Sequence, residues 1–363
     1  MLSTLIKYSV LGLVGYLSLV AIIVQPSIQK SLIYLNWVNY PFPSKLETPS
    51  KLGFFKGEVR NFRFDTPDGV TLGAWQFLPN SIHKEAYLNR GKDSNFGDEF
   101  YSSQLQNSKN DVVLYLHGNA ANRGSHVRYS TYESITLGLD SHLIVIDYRG
   151  FGDSTGTPSE YGLFQDSLAA WNWIMDQGVD ASRITILGHS LGTGVSSRLV
   201  SHLNSINVYP KAMVLTAPYS SIGRVLFDFR LFHFFPLFSP LKFIPDHEKH
   251  ALKYLEHRFD TNALIPTLQT PFILFHGVND AQIPSTHSWC LFNSSLDSFG
   301  KTREDFTSST LPRATGNVHL YSSQGSKPSF IKFVEIHKAT HNDLADYPEF
   351  SQEIASFWDL VSK

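Results

Sequence analysis

The chain has 363 residues, 42% of them hydrophobic, and is therefore long enough to bury one large core or two smaller ones. Its formal net charge of -2 leaves no excess of basic side chains to bind a phosphate backbone, so we do not expect nucleic acid to be a partner. The single cysteine, Cys290, excludes an intrachain disulfide, and its surroundings indicate an ordinary, partly buried thiol.

The first predicted element is an apolar helix near the N-terminus. The run Tyr8 to Val24, YSVLGLVGYLSLVAIIV, contains no charged residue and is just long enough to cross a bilayer. No small-residue cleavage site follows it, which favours an uncleaved anchor over a signal peptide or a buried soluble helix. Lys7 precedes the run and Lys30 follows it, a distribution that favours a lumenal position for the rest of the chain. The sequon at Asn293 fits that orientation.

The rest of the chain divides into a short connection and a large domain. We assign residues 1–30 to the anchor, the Pro- and Ser-containing residues 31–53 to a tether, and residues 54–363 to one domain. Its first segment, VRNFRFDTPDGVTLGAWQFLP, predicts two strands joined by a turn at Pro-Asp-Gly.

Apolar strand runs then alternate with helical patterns. The strand runs are DVVLYLHG, SHLIVIDYRG, RITILGHS, KAMVLTAP, PFILFHGVND and FIKFVEIH. Strands that are apolar on both faces and separated by helices predict an α/β fold whose mostly parallel sheet is covered by helices on both sides.

Three segments interrupt this alternation. Residues 80–110 and 297–328 are polar and weakly patterned, and we expect them to be surface excursions. The third segment contains FDFRLFHFFPLFSPLKF, in which phenylalanines and prolines are concentrated. We assign residues 219–262, approximately, to a Phe-rich helical cap that both completes the core and lines an apolar pocket.

The stretch RITILGHSLGTGV places Ser190 between a β-branched strand and a helix, within the pattern GxSxG. A nucleophilic serine must project from a sharp strand-to-helix turn, and the flanking Gly188 and Gly192 relieve the crowding that such a turn creates. The helix that begins after Ser190 directs backbone N–H groups at the place where an oxyanion would form. The motif in this context indicates a catalytic nucleophile.

An acid and a histidine follow Ser190 in the chain order Ser, Asp, His. Asp280 comes after the strand FILFHG, and His341 comes after FVEI, ahead of the last helix. His341 would accept the hydroxyl proton and return it to the leaving group, while Asp280 would orient the ring and stabilise the imidazolium. We assign no catalytic role to the competing candidates, which are His117, His189, His337 and Asp343.

An oxyanion also needs hydrogen-bond donors. The turn in YLHGNAAN follows an early strand of the sheet, so the backbone N–H groups of Asn119 and Leu191 are the predicted donors, with Ala120 as the alternative to Asn119. The sequence has no GxxxxGK[ST], no HExxH and no paired cysteine motif, so it predicts neither a cofactor nor a metal site.

Four motifs carry a family resemblance. LYLHGNAANRG, VIDYRGFGDSTGTPSE, GHSLGTGV and HNDL resemble the α/β-hydrolase superfamily, specifically its membrane-anchored monoacylglycerol and lysophosphatidylserine lipase branch. The likeness extends from about Phe54 to the C-terminus. It implies a serine hydrolase that cleaves a glycerol ester of a single-chain lipid, attached to the endoplasmic reticulum with its catalytic domain in the lumen. On this match Ser190, Asp280 and His341 take the triad positions of the family.

The leading hypothesis is therefore a membrane-bound lipase or lysophospholipase. Its expected partners are a lipid substrate and the membrane, and no protein partner is predicted. The same triad attacks any acyl group, so a protein acyl-thioesterase (a depalmitoylase) or a serine peptidase is the alternative. A non-catalytic binding protein on this scaffold is a third hypothesis, but it would not require Ser190, Asp280 and His341 together.

Overall fold

The computed structural model describes residues 2–90, 96–228, 238–247, 250, 253–298, 306–323 and 329–362. The helices within these ranges are α1 Leu2–Ile23, α2 Pro26–Tyr34, α3 Asn80–Arg90, α4 Asp98–Asn107, α5 Tyr129–Glu133, α6 Glu160–Asp176, α7 Leu191–Ser205, α8 Ile222–Asp228, α9 Thr261–Leu264, α10 Thr286–Ser298 and α11 Glu349–Val361. The strands are β1 Val59–Asp65, β2 Thr71–Phe77, β3 Val112–Leu116, β4 His142–Ile146, β5 Ile184–His189, β6 Ala212–Thr216, β7 Phe272–Gly277, β8 Thr307–Thr310, β9 Gly316–Ser323 and β10 Ser329–Ile336.

All of these strands belong to one sheet, in the order β1-β2-β4-β3-β5-β6-β7-β10-β9-β8. The strands β4, β3, β5, β6, β7 and β10 run parallel to one another. Antiparallel pairs lie at both ends, β1 with β2 and β9 with β8. The predicted α/β class with a mostly parallel sheet is confirmed.

The central strands are buried on both faces because helices cover both sides of the sheet. Leu114 and Ile186 face a core cluster that contains side chains of α6, α7 and α10. Their neighbours Val113 and Leu187 face the opposite cluster, which contains side chains of α11. Successive residues of a strand point to opposite faces, so each of these strands needs an apolar run rather than an alternating pattern.

Both predicted surface excursions contain regular secondary structure. Residues 80–110 include α3 and α4, and the side chains of Tyr101 and Leu105 on α4 are buried. Residues 297–328 include β8 and β9, which extend the sheet beyond β10. All residues of β8 are exposed, so this edge strand needs no apolar pattern by which the sequence could reveal it.

The N-terminal helix α1 is the predicted membrane anchor. Its span Ile6–Ile23 has a mean hydropathy of 1.9, and none of the span is fully buried. It is the one helix among the described residues that is long and apolar enough to cross a bilayer. The end of α1 contacts the cap region, because Tyr16, Val20 and Ile23 pack against the buried rings of Phe227 and Phe238.

The segment predicted as a tether lies along the large domain. Asn36 Nδ2 donates to the carbonyl oxygen of Gly150 at 3.0 Å, and the indole N–H of Trp75 donates to the carbonyl oxygen of Leu46 at 2.9 Å. The predicted cap contains α8, a 3₁₀ turn at Ser239–Phe243 and α9. Several phenylalanines on which that prediction depended lie outside the described residues, namely Phe229, Phe232, Phe234 and Phe235.

Candidate active site

The structure brings Ser190, Asp280 and His341 together. They follow β5, β7 and β10, which are parallel and therefore end at the same edge of the sheet. Nε2 of His341 lies 3.0 Å from Oγ of Ser190, and Nδ1 of His341 lies 2.7 Å from Oδ2 of Asp280. A carboxylate only accepts, so Nδ1 carries the hydrogen and Nε2 is left to accept the hydrogen of the Ser190 hydroxyl.

The backbone at Ser190 adopts a conformation that few residues other than glycine take. Its φ is 49° and its ψ is -117°, at a cost of about 1–3 kcal/mol. The surroundings fix this turn, since Ser190 N–H donates to the carbonyl oxygen of Thr216 at 3.0 Å. A Cβ at Gly192 would overlap the carbonyl oxygen of Leu116, so only glycine lets α7 begin this close to β3.

The carboxylate of Asp280 is held on both oxygens. Oδ1 accepts the backbone N–H groups of Gln282 and Ile283 at 2.8 and 2.9 Å. Oδ2 faces His341 and lies 3.5 Å from Nε2 of His276, a buried residue of β7. Burial raises the pKa of Asp280, but the hydrogen bonds from His276 and His341 outweigh it and hold the pKa below its ordinary value. The carboxylate is therefore ionised at neutral pH.

The predicted oxyanion loop, which we define as residues 117–124, passes directly beside the nucleophile. A Cβ on Gly118 would lie 3.2 Å from Cβ of Ser190. The carbonyl oxygen of Gly118 accepts from Nδ1 of His117 at 2.6 Å. The C=O and N–H of one trans peptide point in opposite directions, so this contact directs the N–H of Asn119 away from His117.

The two alternatives for the loop donor differ in their hydrogen bonds. Ala120 N–H already donates to the carbonyl oxygen of Tyr34 at 2.9 Å. The N–H groups of Asn119 and Leu191 have no hydrogen-bond acceptor among the residues that the structure describes. The geometry therefore favours Asn119 over Ala120 as the partner of Leu191.

Two buried guanidinium groups hold the oxyanion loop in place, that of Arg123 in the loop itself and that of Arg128 after it. Arg123 is fully buried and pairs through Nη1 with Asp147 and Asp153, each at 2.5 Å. Burial raises the pKa of Asp147, but Arg123 and His117 outweigh it and lower the pKa overall. Arg128 donates to the carbonyl oxygens of Asn122 and Ala120 in the loop.

The competing candidates make other contacts. Nε2 of His189 donates a hydrogen bond to the backbone oxygen of His341 at 3.0 Å and not to the hydroxyl of Ser190. Asp343 accepts the N–H of Thr340 at 2.6 Å, and His337 lies 3.3 Å from Nδ2 of Asn317.

His276 is a site residue that was not predicted from the sequence. The signal was present, because a histidine inside the apolar strand FILFHG must be buried and therefore needs polar partners. It satisfies this requirement with Ser288 Oγ at 2.7 Å and the carbonyl oxygen of Ile283 at 2.8 Å, which fixes the loop that carries Asp280.

Within the described ranges, no group of three or more His, Cys, Asp or Glu side chains could hold a metal ion. Cys290 is half-buried, and its Sγ lies 3.5 Å from Oδ1 of Asn262.

Several known proteins are similar to this chain in sequence. A family model described as α/β hydrolase fold matches residues 111–264. A lysophosphatidylserine lipase, ABHD12, from Danio rerio is 32% identical over 273 residues, which are 74% of this chain and 67% of the relative. The Rattus norvegicus lysophosphatidylserine lipase ABHD12 is 32% identical over 290 residues, which are 79% of this chain and 68% of that protein.

Solved structures are similar in fold. An esterase from Pyrococcus furiosus superposes with a TM-score of 0.54 at 15% identity, covering 86% of this chain and 93% of the esterase. A puromycin-hydrolysing peptidase from Mycobacterium tuberculosis superposes with a TM-score of 0.52 at 15% identity, covering 84% of this chain and 39% of the peptidase. Likeness at this identity establishes the shared fold and leaves the substrate open.

Proposed function

Because this chain belongs to the α/β-hydrolase family, in the branch of the lysophosphatidylserine lipases, we propose that it hydrolyses single-chain lipid esters through an acyl-enzyme on Ser190. The family resemblance found in the sequence motifs is confirmed, and membership makes the chain an ester-cleaving serine hydrolase. The observation that carries the proposal is the hydrogen-bonded series Ser190 Oγ, His341 and Asp280, with distances of 3.0 and 2.7 Å.

The proposed reaction has two halves. Nε2 of His341 accepts the hydroxyl proton while Ser190 Oγ attacks the ester carbonyl, and the resulting oxyanion is bound by the N–H groups of Asn119 and Leu191. His341 then protonates the departing alcohol, which leaves the acyl group on Ser190. In the second half His341 takes a proton from water, the water oxygen attacks the acyl carbonyl, and Ser190 regains its hydrogen as the fatty acid leaves. Asp280 stabilises the imidazolium in both halves.

The membrane anchor is the feature that supports a lipid as the proposed substrate. The anchor α1 packs its partly buried residues Tyr16, Val20 and Ile23 against Phe227 and Phe238 of the cap. The cap is thereby kept beside the anchor, and so at the bilayer from which a lysophospholipid or a monoacylglycerol would come. A lysophospholipid is the first choice among these substrates, because the relatives are named for lysophosphatidylserine.

The proposed location is the endoplasmic reticulum, with the catalytic domain, residues 54–363, in the lumen and residues 1–30 as the anchor. Lys7 on the near side of the apolar run supports this orientation, since basic residues remain cytoplasmic. The sequon adds no support: Asn293 lies within α10, and its Oδ1 is buried with no hydrogen-bond partner among the described residues. Protease protection of each end of the chain in sealed microsomes tests the orientation.

Competitive labelling with a fluorophosphonate tests the function. Purified full-length wild type and Ser190→Ala are labelled in the presence of a panel of lysophospholipids and monoacylglycerols. We expect wild-type labelling that a lysophospholipid suppresses and no labelling of Ser190→Ala. A release assay for free fatty acid on the same panel identifies the ester that is cleaved.

The other outcomes are informative as well. Labelling that requires Ser190 but is indifferent to every lipid would exclude the lipid substrate and direct the search to acyl-thioesters and peptides. Undiminished ester hydrolysis by Ser190→Ala would overturn the acyl-enzyme mechanism.

A further inference from the structure

The segment after the anchor supplies hydrogen-bond acceptors to the oxyanion loop. Tyr34 is the last residue of α2, and its carbonyl oxygen accepts the N–H of Ala120 at 2.9 Å. The carbonyl oxygen of Val38 accepts the N–H of Ala121 at 2.6 Å. Both donors belong to the two residues that directly follow Asn119.

The next residue of the loop is bound to the same segment. Nδ2 of Asn122 donates to Oδ1 of Asn39 at 2.7 Å and to the carbonyl oxygen of Pro41 at 2.6 Å. Asn39 is itself fixed, because its Nδ2 donates to the carbonyl oxygen of Gly152 at 2.9 Å. Three successive residues of the oxyanion loop are therefore held by residues 34–41.

The loop needs this support because its backbone is unusual. Ala120 and Ala121 have φ values of 58° and 53°, in the left-handed region that residues with a Cβ seldom adopt. Such a conformation persists only where the surroundings fix it. Without acceptors for these two N–H groups, the loop would relax and the adjoining N–H of Asn119 would lose its direction.

Packing fixes the position of the acceptor on Tyr34. The side chain is fully buried, with its ring 5.3 Å from that of His257 and 6.3 Å from that of Phe259. The hydroxyl has no hydrogen-bond partner among the described residues. The ring, rather than the hydroxyl, therefore holds the end of α2 against the loop.

We propose that Tyr34, Val38, Asn39 and Pro41 position Asn119 for oxyanion binding, so that contacts from the membrane-proximal end of the chain support the active site. This inference rests on the proposed role of Asn119 as an oxyanion donor. Tyr34, Val38 and Asn39 are positioning residues, since they act through the loop and do not contact the substrate.

The test uses the full-length protein in detergent micelles with a soluble chromogenic ester, p-nitrophenyl butyrate. Removing an oxyanion donor lowers kcat by about 100- to 1,000-fold, so misplacing one in Tyr34→Ala should lower kcat about 10- to 100-fold. We expect KM to stay within about twofold, because ground-state binding does not require the oxyanion donors. The rate of fluorophosphonate labelling should fall in parallel. Tyr34→Phe should retain the wild-type rates, because it keeps the ring.

Asn39→Ala tests the same contact with a smaller disturbance and carries the experiment if Tyr34→Ala fails to fold. We expect its kcat to fall about fivefold at an unchanged KM. Trp37→Ala is the control in the same segment, since its side chain is 69% exposed and its indole N–H bonds locally, to the carbonyl oxygen of Ser31. Its kcat should not change.

A kcat within twofold of wild type in folded Asn39→Ala and folded Tyr34→Ala would overturn the inference. So would a loss that Trp37→Ala shares equally. The chromogenic ester separates this result from the lipid proposal: wild type that cleaves the ester but no lipid would contradict the proposed substrate and leave this test in force.

Discussion

Nε2 of His189 donates a hydrogen bond to the backbone carbonyl oxygen of His341 at 3.0 Å, and their ring centroids lie 5.2 Å apart. A carbonyl oxygen only accepts, so the hydrogen of His189 is on Nε2. Burial, and then the proximity of His341, lower the pKa of His189 to about 3, which keeps the ring neutral. The residue before the proposed nucleophile therefore holds the backbone of the proposed base.

Replacing His189 should affect the position of that base. His189→Ala removes the donor, and a hydrogen bond of this kind contributes about 1 kcal/mol, so we expect kcat to fall about fivefold with KM unchanged. In His189→Gln the side-chain amide can donate in place of Nε2 and should preserve most of kcat. Steady-state kinetics on a soluble ester checks both variants. Equal losses of kcat in the two variants would show that this hydrogen bond does not position His341.

Gly192 should tolerate no side chain. A Cβ at this position would overlap the carbonyl oxygen of Leu116, which belongs to the sheet and cannot move aside. We expect Gly192→Ala to lower the free energy of unfolding by about 3 kcal/mol and to abolish fluorophosphonate labelling. Gly97→Ala is the matched control, because open space surrounds this residue and its φ is -71°. Since Gly97 is the N-cap of α4 and alanine is a weaker N-cap, denaturant unfolding should place the control about 1 kcal/mol or less below wild type.

The buried ion pair of Arg123 and Asp147 should contribute more to stability than the partly exposed pair of Arg63 and Asp153. Arg123 and Arg63 both contact Asp153, but the Arg63 side chain is 43% exposed and that of Arg123 is fully buried. Arg123→Met leaves Asp147 buried without its cation and should cost about 3–5 kcal/mol of the free energy of unfolding. Arg63→Ala should cost at most about 1 kcal/mol. Denaturant titration of both variants checks this, and similar losses would contradict it.

The features that could be predicted from the sequence are those that depend on residues close together in the chain. The apolar runs of the central strands and the turn around Ser190 follow from residues close together in the chain. The order Ser190, Asp280, His341 was sufficient to place three side chains at one edge, because parallel strands end together.

What the sequence could not give depends on contacts between distant residues. The acceptors for Ala120 and Ala121 are backbone carbonyl oxygens more than eighty positions earlier, and a carbonyl oxygen leaves no mark on residue identity. The strand β8 is a run of exposed Ser and Thr that pairs with β9 and with no other strand in the part of the chain that the structure describes. Polar composition there indicated a loop, because an edge strand open to solvent has no apolar face.

The stability of the domain should fall in acid because of a buried histidine outside the active site. His142 is fully buried, and burial, with the nearby Arg183, lowers its pKa to about 3. The unfolded state binds a proton below pH about 6.5 and the folded state does not until about pH 3, so stability is lost as the pH falls between these values. One such group changes the free energy of unfolding by about 1.4 kcal/mol per pH unit.

His142→Gln isolates this contribution. Its amide can keep the contact that Nε2 makes with Ser108 Oγ at 2.9 Å, but it does not titrate. Denaturant unfolding between pH 6.5 and 4 gives the free energy of unfolding at each pH. Its slope against pH should be shallower in His142→Gln than in wild type, by up to about 1.4 kcal/mol per pH unit, which corresponds to one proton. An identical slope in the two proteins would show that His142 is protonated to the same extent in both states.

The cap should enter the bilayer beside the anchor. Val20 and Ile23 of α1 pack against the cluster of Phe227 and Phe238, and Phe243, at the end of the following 3₁₀ turn, is 92% exposed. At 1.5 Å per residue, the contacts from Tyr16 to Ile23 extend about 10 Å along the anchor, which places this part of the cap at the level of the lipid. An exposed aromatic ring at that depth gains free energy from contact with lipid.

Phe243→Ser therefore should slow the hydrolysis of an ester embedded in a membrane while leaving a soluble ester unaffected. Loss of one buried ring is worth about 1.5–2 kcal/mol, so kcat/KM on lysophospholipid in vesicles should fall about 10- to 30-fold. Phe55→Ser is the matched control, since Phe55 is 74% exposed and its ring lies near that of His83 rather than beside the anchor. Full-length protein is assayed with both substrates. An equal loss of kcat/KM on the soluble and the embedded ester would mean that Phe243 supports the fold of the cap and not its contact with the bilayer.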